Sequence, residues 1–412
     1  MAVTFSNMLF NGSDKSQFVI EESDLSQVTT IVDGCFLNCI GVNSIHIPGN
    51  VRTIGKNAFY GVMPVEHPRN VATSISIAEG VLWIRAGAFA NMDGVNYYGG
   101  RAISFPSTLQ TIERGAFQET KFSTLTFNKN SRVRISDYAF QYSLTDNLKT
   151  LDLTGVESIG NWALSPGSYY DSNVKKHQYT CKNTKLIIGS TLQKLGGYAF
   201  GGGVRENDDD DYDTYPFSYV DSSTMNPMLD GDMNALQNTA WFKNIATPTT
   251  GTTYVTGANG KILIGAKCGG EETLYYPSGL VNLGNYSMRN IGEQNVINAV
   301  KKVVIPDTVI WMQADSVPNF SLSLMATDIG ESVSRIDGVV IGNPISSLVA
   351  GSYVVFRQPK YMNITINTEH LASTKDSSTL DIYTDNLVIR NYDWAGDNII
   401  PIFHPLSEAP TR

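Results

Sequence analysis

The residues best suited to chemistry are few and scattered. An acidic run in GGGVRENDDDDYDTYPF holds Asp208, Asp209, Asp210, Asp211 and Asp213, oxygen ligands of the kind Ca²⁺ takes. The run lacks EF-hand spacing and its closing Glu. Adjacent carboxylates cannot all face one ion, so a solvated acidic loop is the plainer reading. Asp208, Asp209, Asp211 and Asp213 are the metal candidates, with Ca²⁺ the only cofactor they suggest. Cys35, Cys39, Cys181 and Cys268 form no zinc pattern and read as buried free thiols. His46, His67, His177, His370 and His404 fit no His-Glu-x-x-His motif. There is no Gly-x-Ser-x-Gly elbow and no Walker loop. Carboxylate pairs for glycoside hydrolysis need not be close in sequence, but nothing here singles one out. The chain is therefore expected not to be an enzyme.

Recognition chemistry is better represented. Tyr97, Tyr98, Tyr169, Tyr170, Tyr212, Tyr215 and Tyr219 supply aromatic area with polar tips, which suits protein contacts. A competing reading is that these tyrosines pack loops onto their scaffold. The chain has 412 residues and a net charge of −9, from 30 Lys plus Arg against 39 Asp plus Glu. That balance opposes contact with a phosphate backbone, so no nucleic-acid partner is expected. The opening segment MAVTFSNMLFNGSDKSQF has neither the basic region nor the apolar core of a secretory signal. No apolar run approaches the length of a spanning helix, so no membrane insertion is expected. A soluble protein made in the cytosol is the expectation.

The elements that must position these residues are repeats. Segments ending in Ala-Phe align in one frame: SIHIPGNVRTIGKNAF (44–59), SISIAEGVLWIRAGAF (74–89), AISFPSTLQTIERGAF (102–117), TLTFNKNSRVRISDYAF (124–140), TLDLTGVESIGNWAL (150–164) and KLIIGSTLQKLGGYAF (185–200). VTTIVDGCF, ending at Phe36, is a truncated first copy. Pairs such as Ile45 and Ile47, or Leu151 and Leu153, alternate with period two and predict one short strand per repeat, buried on one face. Pro48 and Pro106 close their strands. A second apolar pair follows in each copy, for example Val51 and Ile54, and Gly55, Gly160 and Gly196 read as a turn after it. The small Ala of each copy permits close stacking, and Phe36, Phe59, Phe89, Phe117, Phe140, Leu164 and Phe200 predict a continuous internal spine. Such units cannot bury their faces alone and must stack.

These segments resemble the BspA-like class of leucine-rich repeat, with its I-x-I-P-x-x-V-x-x-I-G-x-x-A-F pattern. The resemblance implies a mainly β repeat solenoid: a right-handed coil with short parallel strands and capping β elements. It also implies that NTAWFKN (238–244) leads into a hairpin, after which the repeats resume. There Leu274, Tyr276 and Pro277 keep the frame, with Ser287 and Met288 in place of Ala and Phe. KKVVIPDTVIWM opens another copy, and the pattern departs beyond Trp311. The expected division is 1–27 N-terminal cap, 28–200 repeats, 201–260 insertion and hairpin, 261–342 degenerate repeats, and 343–412 C-terminal β cap or docking region. The tail PIFHPLSEAPTR carries no turn or helix signal.

Insertions gather just past the Ala-Phe, after Phe59, Phe89, Leu164 and Phe200, so they are expected side by side. The function expected is a non-catalytic protein-interaction scaffold, structural or receptor-facing, in a large assembly such as a phage virion. Its partners are other assembly subunits or a cell-surface receptor. The alternatives are a cell-surface adhesin binding host or matrix proteins, which the resemblance implies, and a soluble intracellular scaffold.

Overall fold

The computed structural model describes residues 3–5, 18–20, 25–39, 41–64, 73–92, 100–173, 175–201, 215–343 and 345–412, the first two stretches by backbone alone. The chain forms two compact units. One comprises residues 1–226 and 234–244, the other 227–233 and 245–412.

In the first unit every coil contributes a longer and a shorter strand to two parallel ladders. Phe18–Ile20, Val42–Ile47 and Ser74–Ile77 form one stretch of the longer-strand ladder. Arg101–Ser104, Phe122–Thr126, Thr150–Asp152, Lys185–Ile187 and Tyr219–Asp221 form another. Ile45 lies beside Ile75 and Leu151 beside Leu186, and the register shifts at the start of the Phe18–Ile20 and Phe122–Thr126 pairings. The alternation read from the sequence is realised, with Ile75 and Ile77 buried between exposed Ser74 and Ser76. The shorter strands, such as Thr53–Ile54, Trp83–Ile84 and Thr111–Ile112, pair in the second ladder through Lys194–Leu195.

Val3–Phe5 pairs in parallel with Val28–Ile31, and Phe18–Ile20 with Val42–Ile47. Residues expected as a separate cap thus carry strands in the frame of the repeat. Val28, Leu25 and Ile31 are fully buried, so the first coil shares the core of the next.

The turn after the shorter strand is itself a ladder. Each Phe N–H donates to the Ala carbonyl of the following coil: Phe36 to Ala58, Phe59 to Ala88, Phe89 to Ala116, Phe117 to Ala139 and Phe140 to Ala163, all at 2.7 Å. The Ala side chains are completely buried, since any larger group would separate these backbones. The Phe rings stack at 4.9–5.1 Å from Phe36 to Phe140, nearly parallel. Leu164 and Phe200 continue the buried column. The turn expected at Gly55, Gly160 and Gly196 is present, with the Ala58 N–H bonded to the Gly55 carbonyl at 3.3 Å, but none of the three has a positive φ. They are needed for close approach: a Cβ on Gly55 would lie 2.6 Å from the Ile31 carbonyl oxygen, and one on Gly160 2.4 Å from the Asp137 nitrogen.

In the segment 234–244, two short helices, Asn234–Gln237 and Ala240–Lys243, close the first unit, the second capped by the Thr239 hydroxyl. In the second unit an antiparallel hairpin, Thr252–Gly257 with Ile262–Cys268, runs past residue 260 and starts the new ladder, Ile262 beside Asn282. Met288 occupies the spine position, fully buried, its N–H bonded to the Asp315 carbonyl.

Beyond Trp311 the register holds, Trp311 and Met312 pairing with Arg335 and Ile336. Residues 343–412, expected not to repeat, add Tyr353–Phe356, Ser378–Thr384 and Ile399–His404 to the other parallel ladder of this unit, beside Ala326–Ile329. Ser378–Thr384 keeps the period-two burial of the repeat, whereas Tyr353–Phe356 buries three residues in a row, and the Ala-Phe punctuation is missing. The tail, read as featureless, supplies the last of these strands and a 3₁₀ turn at Leu406–Glu408.

Candidate functional site

Within the described residues, the sequence-nominated tyrosines lie on two segments of the first unit, Tyr169 and Tyr170 on one and Tyr215 and Tyr219 on the other. Tyr97, Tyr98 and Tyr212 lie outside those residues, as do Asp208, Asp209, Asp211 and Asp213. Tyr169 and Tyr170 sit on the antiparallel hairpin Ser168–Asp171 with Lys176–Tyr179. Tyr215 lies 5.3 Å under the Lys243 ammonium. Tyr219, half-exposed on the last long strand, has the Lys185 ammonium 4.9 Å above it. Among the described residues there is no group of three His, Cys, Asp or Glu able to hold a metal, and no helix is long and apolar enough to cross a membrane. All four cysteines are buried free thiols.

The insertion points do share one side of the coil. Residues 65–72 leave after Pro64 and 93–99 after Met92, while the Ser168–Tyr179 hairpin follows Leu164 and 202–214 follow Gly201. Each lies between the Ala-Phe turn and the next long strand.

A different surface shows strain. The residue before each spine Ala adopts a left-handed backbone, because its N–H must reach the neighbouring coil while the next two side chains turn inward. Asn57, Gly87 and Gly115 occupy this column at φ 54°, 65° and 62°. The next three coils place Tyr138, Trp162 and Tyr198 there, at 58°, 58° and 55°. A second left-handed column four residues on holds Asn38, Gly61, Asn91 and Glu119, then Tyr142 at 59°. A bulky residue in this region costs about 1 kcal/mol or more relative to glycine. None of these aromatic side chains offsets that by full burial: Tyr138, Tyr142 and Trp162 are partly exposed and Tyr198 is exposed.

A groove of about 550 Å³ runs across four coils, lined by Arg114, Arg134, Asp137, Gly160 and Lys194 among others, and Tyr138 adjoins it through Arg114. Trp162 and Tyr198 stack at 4.7 Å with 10° between planes. The Arg114 guanidinium lies 4.7 Å over the Tyr138 ring. The Asp137 carboxylate is occupied by the Asn161 N–H at 2.7 Å, so the groove presents its cations more freely than its anion. The column was readable in the alignment as NAF, GAF, GAF, then YAF, WAL and YAF. What the sequence did not show was that the column faces solvent in a left-handed conformation.

The sequence profile of the BspA type leucine rich repeat region matches residues 3–69 and 68–178, in six copies. No curated protein matched the chain. Among solved structures, a leucine-rich repeat protein from Bacteroides ovatus is similar at 14% identity, covering 92% of this chain and 88% of that one, with a TM-score of 0.35. The pneumococcal vaccine antigen PcpA is similar at 14% identity over 93% and 85%, with a TM-score of 0.30. A leucine rich cell surface protein from Faecalibacterium prausnitzii gives 14% over 84% of each chain and a TM-score of 0.26. From residue 3 through residue 178, the Ala-Phe coils of this chain belong to the BspA-type leucine-rich repeat family.

Proposed function

We propose that this chain is a protein-interaction scaffold that engages its partner through the aromatic column Tyr138, Trp162 and Tyr198, with Tyr142 in the adjacent column, and the basic groove beside Tyr138. The carrying observation is that the repeat places large, partly exposed aromatics at left-handed positions that its other coils fill mostly with glycine or asparagine. Backbone strain retained by side chains that stay partly exposed, although Trp162 and Tyr198 stack on each other, marks a surface kept for something other than stability. Exposed Tyr and Trp with Arg nearby are the residue types that dominate interface energetics. The three cations of the groove suit a partner surface bearing carboxylates.

The test is the triple variant Tyr138→Asn, Trp162→Asn, Tyr198→Asn. Asparagine already occupies this column at position 57, so stability should stay within about 1 kcal/mol of the parent. Binding to a partner recovered with the parent protein should weaken by about 2 kcal/mol per anchoring aromatic. Unchanged capture by a folded triple variant would place recognition elsewhere. A place in a large assembly such as a virion is the finer proposal. Recovery in purified particles checks it, and protease-sensitive display on intact cells would replace it with a surface adhesin.

A further inference from the structure

The second unit carries a groove that its own chain fills. Its longer-strand ladder runs in the order Thr273–Tyr275, Lys302–Val304, Ala326–Ile329, Tyr353–Phe356, Ser378–Thr384, Ile399–His404. Leu274, Val303, Thr327, Val354 and Ile382 are in register and face the core. Alternation then sends the next row outward: Tyr275, Val304, Asp328, Val355, Tyr383 and His404. Tyr275, at one end, is 60% exposed, yet Val304, Asp328 and Val355 are 6%, 1% and 0% exposed. An outward row that is nonetheless buried must have something lying on it.

Part of that cover is the tail. After Ile399–His404 the chain turns back, with the Leu406 N–H on the Asp385 carboxylate at 3.2 Å. Residues 405–412 then reach from the last strand to the second, about 19 Å at the usual strand spacing. Three residues in the 3₁₀ turn at about 2 Å each and five extended ones span about 22 Å, so the crossing is within reach. Lys302 donates to the Thr411 carbonyl at 2.8 Å. The Arg412 guanidinium enters a groove walled by Tyr275, Val304 and Pro306. It donates to Asp307 Oδ2 at 2.7 Å and to the Ile305 carbonyl at 2.5 Å, with its Nε 3.7 Å from Asp328 Oδ1. Asp328 is itself fixed by a two-pronged pair with Arg357 at 2.6 and 2.5 Å. The groove retains about 500 Å³ of open space beside Arg412.

A carboxylate, a backbone carbonyl and a second carboxylate around one planar cation form an arrangement that matches guanidinium better than ammonium. The geometry points to a recognition groove for an arginine on an extended segment of a partner protein, occupied in this chain by its own residues 405–412. The tail acts as a tethered competitor, and a partner segment must displace it. A tethered ligand is present at an effective concentration near millimolar, so only a segment with further contacts along the groove, for example on Tyr275, would win. This site is independent of the aromatic column in the first unit.

The probe is an acetylated, amidated peptide of residues 407–412, fluorescently labelled, against full-length protein. Arg412→Ala should open the groove and bind the peptide at least about tenfold more tightly than the parent does. Adding Asp307→Asn to Arg412→Ala should remove that gain, with melting curves confirming that both variants are folded. The same peptide ending in Ala should not bind. The inference is overturned if Arg412→Ala binds no better than the parent, or if the Ala-ended peptide binds equally. A concentration-dependent dimer of the parent that Arg412→Ala abolishes would also overturn it, by making a second copy the occupant.

Discussion

The thiols show how burial sets reactivity at the level of single residues. Burial pushes the Cys181 thiol up to about 12 and the Cys35 thiol, with Cys39 nearby, to about 11; Cys39 is raised for the same reason. At pH 8 these groups are almost wholly protonated, and the thiol is not the nucleophile. Iodoacetamide at that pH should leave Cys35, Cys39 and Cys181 unmodified by mass spectrometry until denaturant is added. Native labelling at the rate of a free thiol would show the coils opening. Asp307 illustrates the opposite direction. The Arg412 hydrogen bond, followed by smaller contributions, holds its carboxyl below the usual carboxylate range. Its contribution to holding the tail is therefore complete above the unfolded value and lost as pH falls through the lowered one. A fluorophore on the tail should report release only below about pH 4, the ordinary Asp value; release at neutral pH would contradict the pairing.

A single coil can be read as an element whose parts have separable jobs. The Ala carbonyl and Phe N–H tie neighbouring turns, while the Phe ring fills the column. Each stacked aromatic pair adds about 0.5–1.5 kcal/mol beyond the area it buries. Phe117, stacked on Phe89 and Phe140 at 5.1 Å and fully buried, sits mid-column. Phe117→Ala should cost about 3–5 kcal/mol in urea unfolding, because a ring-sized cavity cannot collapse between two tied backbones. At the left-handed position two residues before each spine residue, exchanging an aromatic for asparagine leaves the column intact, which is why the column aromatics separate stability from recognition. The glycines add a second reason to the turn that the sequence predicts there. Gly55 and Gly160 satisfy close backbone approach rather than a positive φ, a distinction that depends on the neighbouring coil and is invisible within one repeat.

In the whole molecule, each unit is a stack in which stability is carried by neighbouring coils. The damage from Phe117→Ala should therefore be local. Amide exchange should rise most at the flanking turns of Phe89 and Phe140, and least at Ile45 in the same unit, as read by hydrogen exchange. Uniform loss of protection across that unit would show a globally cooperative core instead. The second unit follows the same rule with weaker punctuation: Met288 fills the spine position, and Tyr353–Phe356, Ser378–Thr384 and Ile399–His404 extend the ladder where the Ala-Phe signal has gone.

The sequence by itself determined the coil. Period-two pairs, the closing prolines and the Ala-Phe dipeptide are local patterns, and each dictates a local conformation whose only way to bury its apolar face is to stack. The tertiary structure alone decided three things. It decided that residues 343–412 join the ladder, since pairing between strands needs alternation but not the Ala-Phe that made the earlier copies legible. It decided that the residues before the spine Ala face solvent in a strained backbone, since φ follows from where the neighbouring coil's carbonyl lies. And it decided that the tail returns about four strands to place Arg412 between Asp307 and Asp328. That contact joins residues about a hundred positions apart, and no periodic pattern encodes a single pairing at that distance.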